Sequence, residues 1–384
     1  MTAPVDGSYG SDMSLAALTS ILMHGPVSRT ELTARLGGSQ PTMTRAVKPL
    51  LDRGLVLETE DQLEGPGRPS RPLVGSPGAQ RFVGVKVTGD EVFAVSTDLL
   101  AQEIAHTTMA LRSHDPVDVA ATIAEAVHAL ASAEELECVG VALGGSAVDG
   151  RTVTRAPFLD WRDVPLADML EPLVAVPVVV DNDITALTAG EHWFGVARGE
   201  RDFAVVTIGA GVGLGLVRDD RVVRTHDMGL GTAGHVPLDP TGPRCFLGHR
   251  GCSTAMLTIP SIEAQASVAL HRDLTFDEIV ALAREGEPVA LDILTAAGTS
   301  LGRLIAMVAN IAMVDVIVIS GDGLAVRDIA EEALLTQLAA ERDPEATPLD
   351  LRIDPEGFTR WARGAATVAI QWSLPRLLAA PAAR

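Results

Sequence analysis

Three groups of residues in this sequence could do chemistry. The first lies in Val176 to Gly195, VPVVVDNDITALTAGEHWFG, where a short apolar run stops on Asp181, Asn182 and Asp183 and a helix begins. Val178, Val179 and Val180 read as a strand covered on both faces, and in an α/β sheet the carboxyl end of such a strand opens on the ligand crevice. A carboxylate delivered there can take a proton from a substrate hydroxyl, and the neighbouring amide can hold another hydroxyl. The same carboxylates can equally cap the helix that follows. The second group is FAVVTIGAGVGLGLVRDDRVV, Phe203 to Val223, a hairpin in which Gly209, Gly211 and Gly213 would leave backbone N–H groups free to approach a phosphate. Glycines also mark bulges and tight bends, so the alternation alone is weak. The third is His235, Cys245 and Cys252 around GPRCFLGHRGC. This spacing could hold zinc, but a structural site wants four ligands and three are obvious.

Composition bounds what these groups can serve. A chain of 384 residues, 47% apolar, predicts two or three domains with real cores, and only 3% aromatic residues means packing by Val, Leu, Ile and Ala. The charge is 30 − 50 = −20, which argues against nucleic acid covering the whole surface but leaves room for a small basic reading head. Three cysteines, Cys138, Cys245 and Cys252, fit a reducing cytoplasm, and Cys138 reads as a buried hydrophobe. The opening MTAPVDGSYGSDMS has neither a basic start nor an apolar run, and no stretch approaches the roughly 20 apolar residues of a membrane span. The expectation is a cytoplasmic protein that does not engage a membrane.

The head is the part positioned to read DNA. Residues 1–12 are polar and turn-rich and are expected to be a disordered tail. Met13 to Arg53 then gives three short helical patterns, marked by Leu15, Leu18 and Leu22, by Leu32 and Leu36, and by Met43, Val47 and Leu50. Gly37-Gly38-Ser39 is a tight turn ending in an N-cap, as a helix-turn-helix requires. The third helix offers Gln40, Thr44 and Lys48 at four-residue spacing with Thr42 and Arg45 beside them, types that contact bases and phosphates. Pro49 inside that helix removes a backbone donor and is expected to kink its last turn, at about 3 kcal/mol if unrelieved. After Gly54, Leu55-Val56-Leu57 leads into a hairpin ending GPGRPSRP, a wing whose Arg68 and Arg71 could enter the minor groove. Met13 to Ser76 carries seven basic and six acidic residues, so the head is +1 and the remainder −21. Such a split suits a module that meets DNA while an acidic body stays away from it.

Pro72 to Gln80 reads as a linker. Beyond it come FVGVKV, a turn at Thr88-Gly89, and EVFAVSTD as a β-hairpin; a helix from Val117 to Ala133; and a strand from Glu137 to Leu143 ending on Gly144-Gly145. The tail supplies a helix from Thr299 to Met313, a buried strand Val314 to Ser320 ending in GDG, and further helices to Leu378. Repeated strand, hairpin and helix units describe a two-lobed α/β body with a cleft.

These residues together resemble the ROK family (repressors, open reading frames and sugar kinases), and specifically its members with an N-terminal winged helix, such as xylose and N-acetylglucosamine repressors. The motifs carrying the resemblance are SRTELTARLGGSQPTMTRAV, GPGRP, VPVVVDNDITALTAGEHWFG, TIGAGVGLG, and GTAGHVPLD followed by the cysteine cluster. It implies a winged helix-turn-helix over 13–76, with Ser28 and Arg29 joining the residues above as DNA contacts. A two-lobed actin-like and hexokinase-like body (ribonuclease H-like, of the ATPase type) would follow over 77–384. Its small lobe would take about 80–190 plus the C-terminal helix, and its large lobe about 191–364. By position, Asn182 would hold a sugar hydroxyl, Asp183 would be the kinase base, and His235 would join zinc to the sugar pocket.

Departures from the family pattern matter as much. Where the kinases resemble D-x-G-G-T, this chain has Lys86, Val87, Thr88, Gly89 and Asp90. An ammonium cannot ligate magnesium and a carboxylate repels nucleotide phosphates. Lys86 and Asp90 could pair across the turn, or Lys86 could anchor an anionic ligand. Phe158 stands where the family commonly has asparagine, and Thr232 and Thr254 stand where it has glutamates. In the motif C-x-C-G-x-x-G-C the second cysteine is Leu247, leaving His249 as the available fourth ligand.

The expectation drawn from all this is a DNA-binding regulator, most simply a repressor, with no sugar kinase activity and no ATP turnover, Asp183 being a vestigial base. Its ligand site would use Lys86, Gly145, Phe158, Asn182, Asp183, Gly209, Gly211, Thr232 and His235 for a sugar or sugar-phosphate effector. Zinc would occupy an incomplete site, and the assembly would be a homodimer or homotetramer on operator DNA. A sugar kinase with an accessory head, and a body that docks another protein, are the competing readings.

Overall fold

In a computed structural model the described residues are 9–59, 71–147, 149–354 and 357–379. The head contains α1 (Tyr9–His24), α2 (Arg29–Leu36) and α3 (Gln40–Asp52), then β1 (Val56–Glu58) and β2 (Leu73–Gly75). Next come β3 (Arg81–Val87), β4 (Glu91–Thr97), β5 (Glu103–Ala110), α4 (Pro116–Leu130), β6 (Leu136–Leu143), β7 (Val153–Ala156), β8 (Trp161–Val164), α5 (Leu166–Val174), β9 (Val178–Asn182) and α6 (Asp183–Phe194). A second run holds β10 (Phe203–Ile208), β11 (Val212–Arg218), β12 (Arg221–Val222), α7 (Ser253–Leu257), α8 (Ile259–Leu270), α9 (Phe276–Arg284), α10 (Pro288–Ala312), β13 (Val316–Ser320), α11 (Ala325–Ile329), α12 (Glu331–Ala340) and β14 (Asp350–Ile353), and α13 (Gly357–Ala379) closes the chain. Two compact units result: one takes the chain to Gly199 plus the stretch from Thr359 onward, the other is Glu200–Phe358.

The head forms because each of its helices has one apolar stripe and a specified start. Ser28 caps α2 in a reciprocal capping box with Glu31, and Ser39 caps α3 with Pro41 in the first turn. Leu18, Leu22, Leu32, Met43, Val47 and Leu50 meet as a fully buried core. Pro49 does not end α3, which runs on to Asp52; its missing N–H withdraws a single intrahelical hydrogen bond, the one to the Arg45 carbonyl, and the helix ends within a turn of it. The wing is β1 paired antiparallel with β2, and Val27 exchanges two backbone hydrogen bonds with Leu73 on its other side. Leu73–Gly75 is therefore a wing strand, where a linker was expected from its Pro/Gly/Ser composition.

In the first unit the sheet order is β5-β4-β3-β6-β9, antiparallel through β5, β4 and β3 and parallel from β3 through β6 to β9. Two glycines decide how α13 covers it. A Cβ on Gly84 in β3 would collide with the Ala362 carbonyl, and one on Gly140 in β6 with that of Ala365. Small residues along α13 let its backbone lie directly on the central strands.

The second unit repeats the pattern, with sheet order β12-β11-β10-β13-β14. Helix α10 starts at Pro288, eleven residues before the Thr299 expected from sequence. Gly298 and Gly302 suggest a break, but they are the places where α10 packs against the Ala330 and Leu334 carbonyls. At 25 residues α10 is long and apolar enough to span a membrane by length and composition, contrary to the expectation that no stretch is. Its Leu294, Leu301 and Ile305 are fully buried in the core of the second unit, the usual place for such a helix in a folded domain.

Candidate functional sites

Helix α3 sorts its residues cleanly. Met43, Ala46, Val47 and Leu50 face the core, while Gln40, Pro41, Thr44, Arg45 and Lys48 form an exposed stripe on the opposite side. Thr44 and Arg45 bond back to the Gln40 and Pro41 carbonyls, and Thr42 bonds the Ser39 hydroxyl. Two other head residues singled out from sequence have partners within the chain. The Ser28 hydroxyl is buried and accepts from the Glu31 N–H, and Arg29 is paired at 2.6 Å with Glu58 of the wing. Arg71 is exposed at the base of the wing, and Arg68 lies outside the described residues.

The head is fastened to the rest of its unit by a residue that sequence reading missed. Arg198, just beyond α6, donates to the carbonyls of Met23, Leu22 and Gly25 at the end of α1, at 2.7, 3.2 and 2.8 Å. Those are the acceptors a helix end leaves unsatisfied, and a guanidinium suits them. Burial lowers the Arg198 pKa, so these hydrogen bonds stand in for lost water.

At the carboxyl end of β9 the side chains saturate one another. Asn182 is the N-cap of α6: its Oδ1 accepts from the Thr185 N–H and hydroxyl, and its Nδ2 donates to the Gly145 carbonyl and Asp183 Oδ1. That uses every hydrogen-bonding position an amide has. Asp183 Oδ1 also accepts from the Ile184 N–H, while its Oδ2 is ion-paired with Lys86 Nζ. Lys86 is 5% exposed and lies 4.9 Å from the Trp361 ring centroid. Lys86 thus pairs with Asp183 and not with Asp90, which is exposed. The ammonium that the first hairpin carries at Lys86 neutralises the carboxylate at the start of α6.

Phe158 and Gly145 complete this region. The Phe158 ring stands over Gly144, where a Cβ would come within 3.0 Å of it and 3.5 Å of Asp183 Oδ2, and the residue is 53% exposed. Gly145 is instead a packing glycine, because a Cβ there would strike the Arg155 carbonyl. Arg155 and Arg162 are exposed directly opposite one another on β7 and β8, and neither has a carboxylate within ion-pair distance among the described residues. Like charges in that register repel. The spacing of APFLDW between them would have revealed the pair had a hairpin been drawn there.

In the second unit the glycine hairpin is tighter than its sequence suggests. Gly209 donates its N–H to the Gly211 carbonyl, so this donor is not free for phosphate as expected, and Asp322 of the GDG turn packs beside Gly209. Gly211 is exposed with open space around it, and Gly213 pairs with Thr207 in the ladder. Thr232 is exposed at the start of the 3-10 turn that leads to His235.

His235, Cys245, His249 and Cys252 place one ligand atom each within 4.8 Å of all the others. The incomplete three-ligand site expected from sequence therefore has a fourth donor. His235 Nδ1 is 3.8 Å from Cys245 Sγ and 3.6 Å from Cys252 Sγ. Tetrahedral zinc, with bonds of about 2.3 Å to sulfur and 2.0 Å to nitrogen, needs an N···S edge of about 3.5 Å, so the two His235–cysteine edges and the Cys/His donor chemistry fit that ion. Burial opposes ionisation of Cys245, but the N–H groups of Leu247, His249 and Gly248 and the Cys252 thiol turn toward its sulfur and hold its pKa below the ordinary value. Burial pushes the Cys252 thiol up and, with the His249 charge, pushes His235 down.

Comparison with known proteins bears on both units. The ROK family model matches residues 83–371, and a MarR family model matches residues 11–62. The chain belongs to the ROK family, with a MarR-like winged helix ahead of a sugar-kinase-like α/β body. It is similar to the DNA-binding transcriptional repressor Mlc of Escherichia coli (strain K12), 29% identical over 304 residues and 75% of each chain. A crystal structure of a ROK family transcriptional regulator, described as a homologue of that protein, superposes with a TM-score of 0.79 at 22% identity, covering 96% of this chain and 97% of that one. The ROK hexokinase from Thermus thermophilus superposes with a TM-score of 0.65 at 27% identity, covering 76% and 98%.

Proposed function

We propose that this chain is a transcriptional regulator of the cytoplasm whose winged head binds operator DNA as a homodimer or homotetramer, most simply as a repressor. Its kinase-like body would sense a small sugar-derived effector without phosphorylating it. The observation that carries the reading is the α3 stripe Gln40, Thr44, Arg45 and Lys48, exposed above a fully packed three-helix core. Fluorescence anisotropy of the full chain on operators selected from a random duplex library tests it; no DNA retained at low salt would remove the reading.

Loss of kinase activity is the second element. In phosphoryl transfer the base must accept a proton from the attacking hydroxyl. Here one Asp183 oxygen faces Lys86 and the other accepts two hydrogen bonds. A coupled assay with magnesium-ATP and common hexoses or amino sugars should stay at background, and turnover abolished by Asp183→Asn would restore the kinase reading.

Zinc would be held by His235, Cys245, His249 and Cys252, which would fix the loop they share. Elemental analysis of untagged protein should find about one equivalent per chain. For the effector, Lys86 is engaged by Asp183, so an acidic sugar derivative would look to Arg155 and Arg162, with Phe158 against its ring. Calorimetry with matched sugar and sugar-phosphate pairs on wild type and Arg155→Gln tests that preference.

A further inference from the structure

The loop that carries Cys245 is a tight hairpin. Arg244 bridges Arg250, the Cys245 N–H donates to the His249 carbonyl, and the Gly248 N–H donates to that of Cys245. Its tip presents Phe246 and Leu247, 81% and 59% exposed. The chain has only 8 phenylalanines, and leaving one this far in water forfeits most of its burial energy. Phe246 is nevertheless held in place, its ring edge-on to His235 at 5.6 Å between centroids. Arg244 and Arg250 flank it, and among the described residues each is bonded only to carbonyls of its own loop. No aspartate or glutamate occurs from Pro240 to Ile262, in a chain with 50 of them. The tip is therefore an apolar knob between two uncompensated cations on an acidic protein.

The same unit contains a hollow of complementary character. Between α8 and the start of α9 lies an open surface depression lined by Glu263, Asp273 and Glu278, with Ala264 and Leu274 as its apolar part. The depression is open to solvent, so an aromatic tip can lie against its Ala264 and Leu274 floor between the carboxylates. Glu263 and Glu278 are fixed in place, the first accepting from the Phe276 N–H and the second closing the α9 capping box with Thr275. Arg272 offsets one of the three carboxylates and leaves the hollow negative. Phe246 is too exposed to occupy the hollow of its own chain.

We propose that the tip of one copy, Phe246-Leu247 between Arg244 and Arg250, seats in the α8/α9 hollow of a second copy and is a principal contact of the homo-oligomer. Apolar insertion supplies affinity, and the arginines facing Glu263, Asp273 and Glu278 supply register. A knob and a receptor on different parts of one chain close into a ring or a reciprocal dimer according to the rotation relating the copies.

Sedimentation velocity on the full chain across micromolar concentrations tests this, independently of whether DNA is bound. Wild type should associate reversibly. Phe246→Ser, Arg250→Glu and Asp273→Arg should each weaken association by about tenfold or more while leaving the thermal melting of the monomer in place. Because Arg250→Glu could disturb its own loop, the decisive arm is an equimolar mixture of Arg250→Glu with Asp273→Arg. Each tip then meets a hollow of opposite charge, and association should return. A monomeric wild type, single variants that associate like wild type, or a mixture that fails to recover would each overturn the proposal.

Discussion

The exposed face of α3 and the N-terminus of α6 are built from the same kinds of side chain and treat them in opposite ways. On α3, Gln40 and Lys48 are exposed, with no side-chain partner among the described residues. At α6, Asn182 and Asp183 satisfy their neighbours completely, and Lys86 supplies the one charge the carboxylate needed. A polar group whose hydrogen bonds are already made must break them to serve a ligand, whereas one facing water gives up only water. The α3 face leaves its polar groups to water, while the N-terminus of α6 spends its own on holding the chain together.

The sharpest way to break this contrast is at the ion pair. Removing one partner of a buried pair strands the other, so Asp183→Asn should cost about 3 kcal/mol in urea unfolding, the low end of the usual range because the Asp183 side chain is still 17% exposed. Lys86→Met with Asp183→Asn should recover most of that loss. If Asp183→Asn alone is as stable as wild type, the carboxylate is not structural and the contrast with α3 fails.

The α3 side of the comparison is tested by Gln40→Ala, expected to relax discrimination between operator variants by about 2 kcal/mol, and by Lys48→Ala, expected to weaken all duplexes alike and lower the salt slope by about 1. Folding stability should not move in either variant. Arg198→Met probes the join between the two regions. Losing three hydrogen bonds from this guanidinium should cost about 1 kcal/mol, seen as faster amide exchange at the end of α1. Unchanged exchange there would mean the head is held elsewhere.

Much of this was legible in the sequence because it is local. The α3 stripe, the Ser39 cap and the strand that stops on Asp181 follow from period and turn chemistry within a dozen residues. What escaped was long-range. Asp90 is four residues from Lys86 and looked like its partner, while the actual partner, Asp183, is 97 residues away and is brought near because β3 and β9 flank β6. Leu73–Gly75 is a strand only because Val27 and Val56 lie on either side of it. Gly298 and Gly302 are close-packing sites on α10, visible as such only once α12 is beside them.

Ser28 gives the smallest effect and the finest test, because its position in the helix-turn-helix motif assigns it to DNA and its geometry assigns it to the fold. It accepts from the Glu31 N–H while Glu31 accepts from the Ser28 N–H at 2.7 Å. Those bonds to Ser28 hold the Glu31 carboxyl below the ordinary glutamate value. A carboxylate depressed in the folded state stabilises it above the unfolded pKa, and this contribution is lost as pH falls through the lower folded value. Wild type should therefore lose part of its head stability as the pH falls below the ordinary glutamate range, and Glu31→Gln should flatten that portion of the profile. Ser28→Ala should cost about 1 kcal/mol at neutral pH. If the hydroxyl belongs to the fold, as Asn182 does, the variant will keep the wild-type salt slope and operator preference at temperatures where it is fully folded. A loss of one phosphate contact from the slope, with stability unchanged, would place Ser28 with Lys48 on the DNA side.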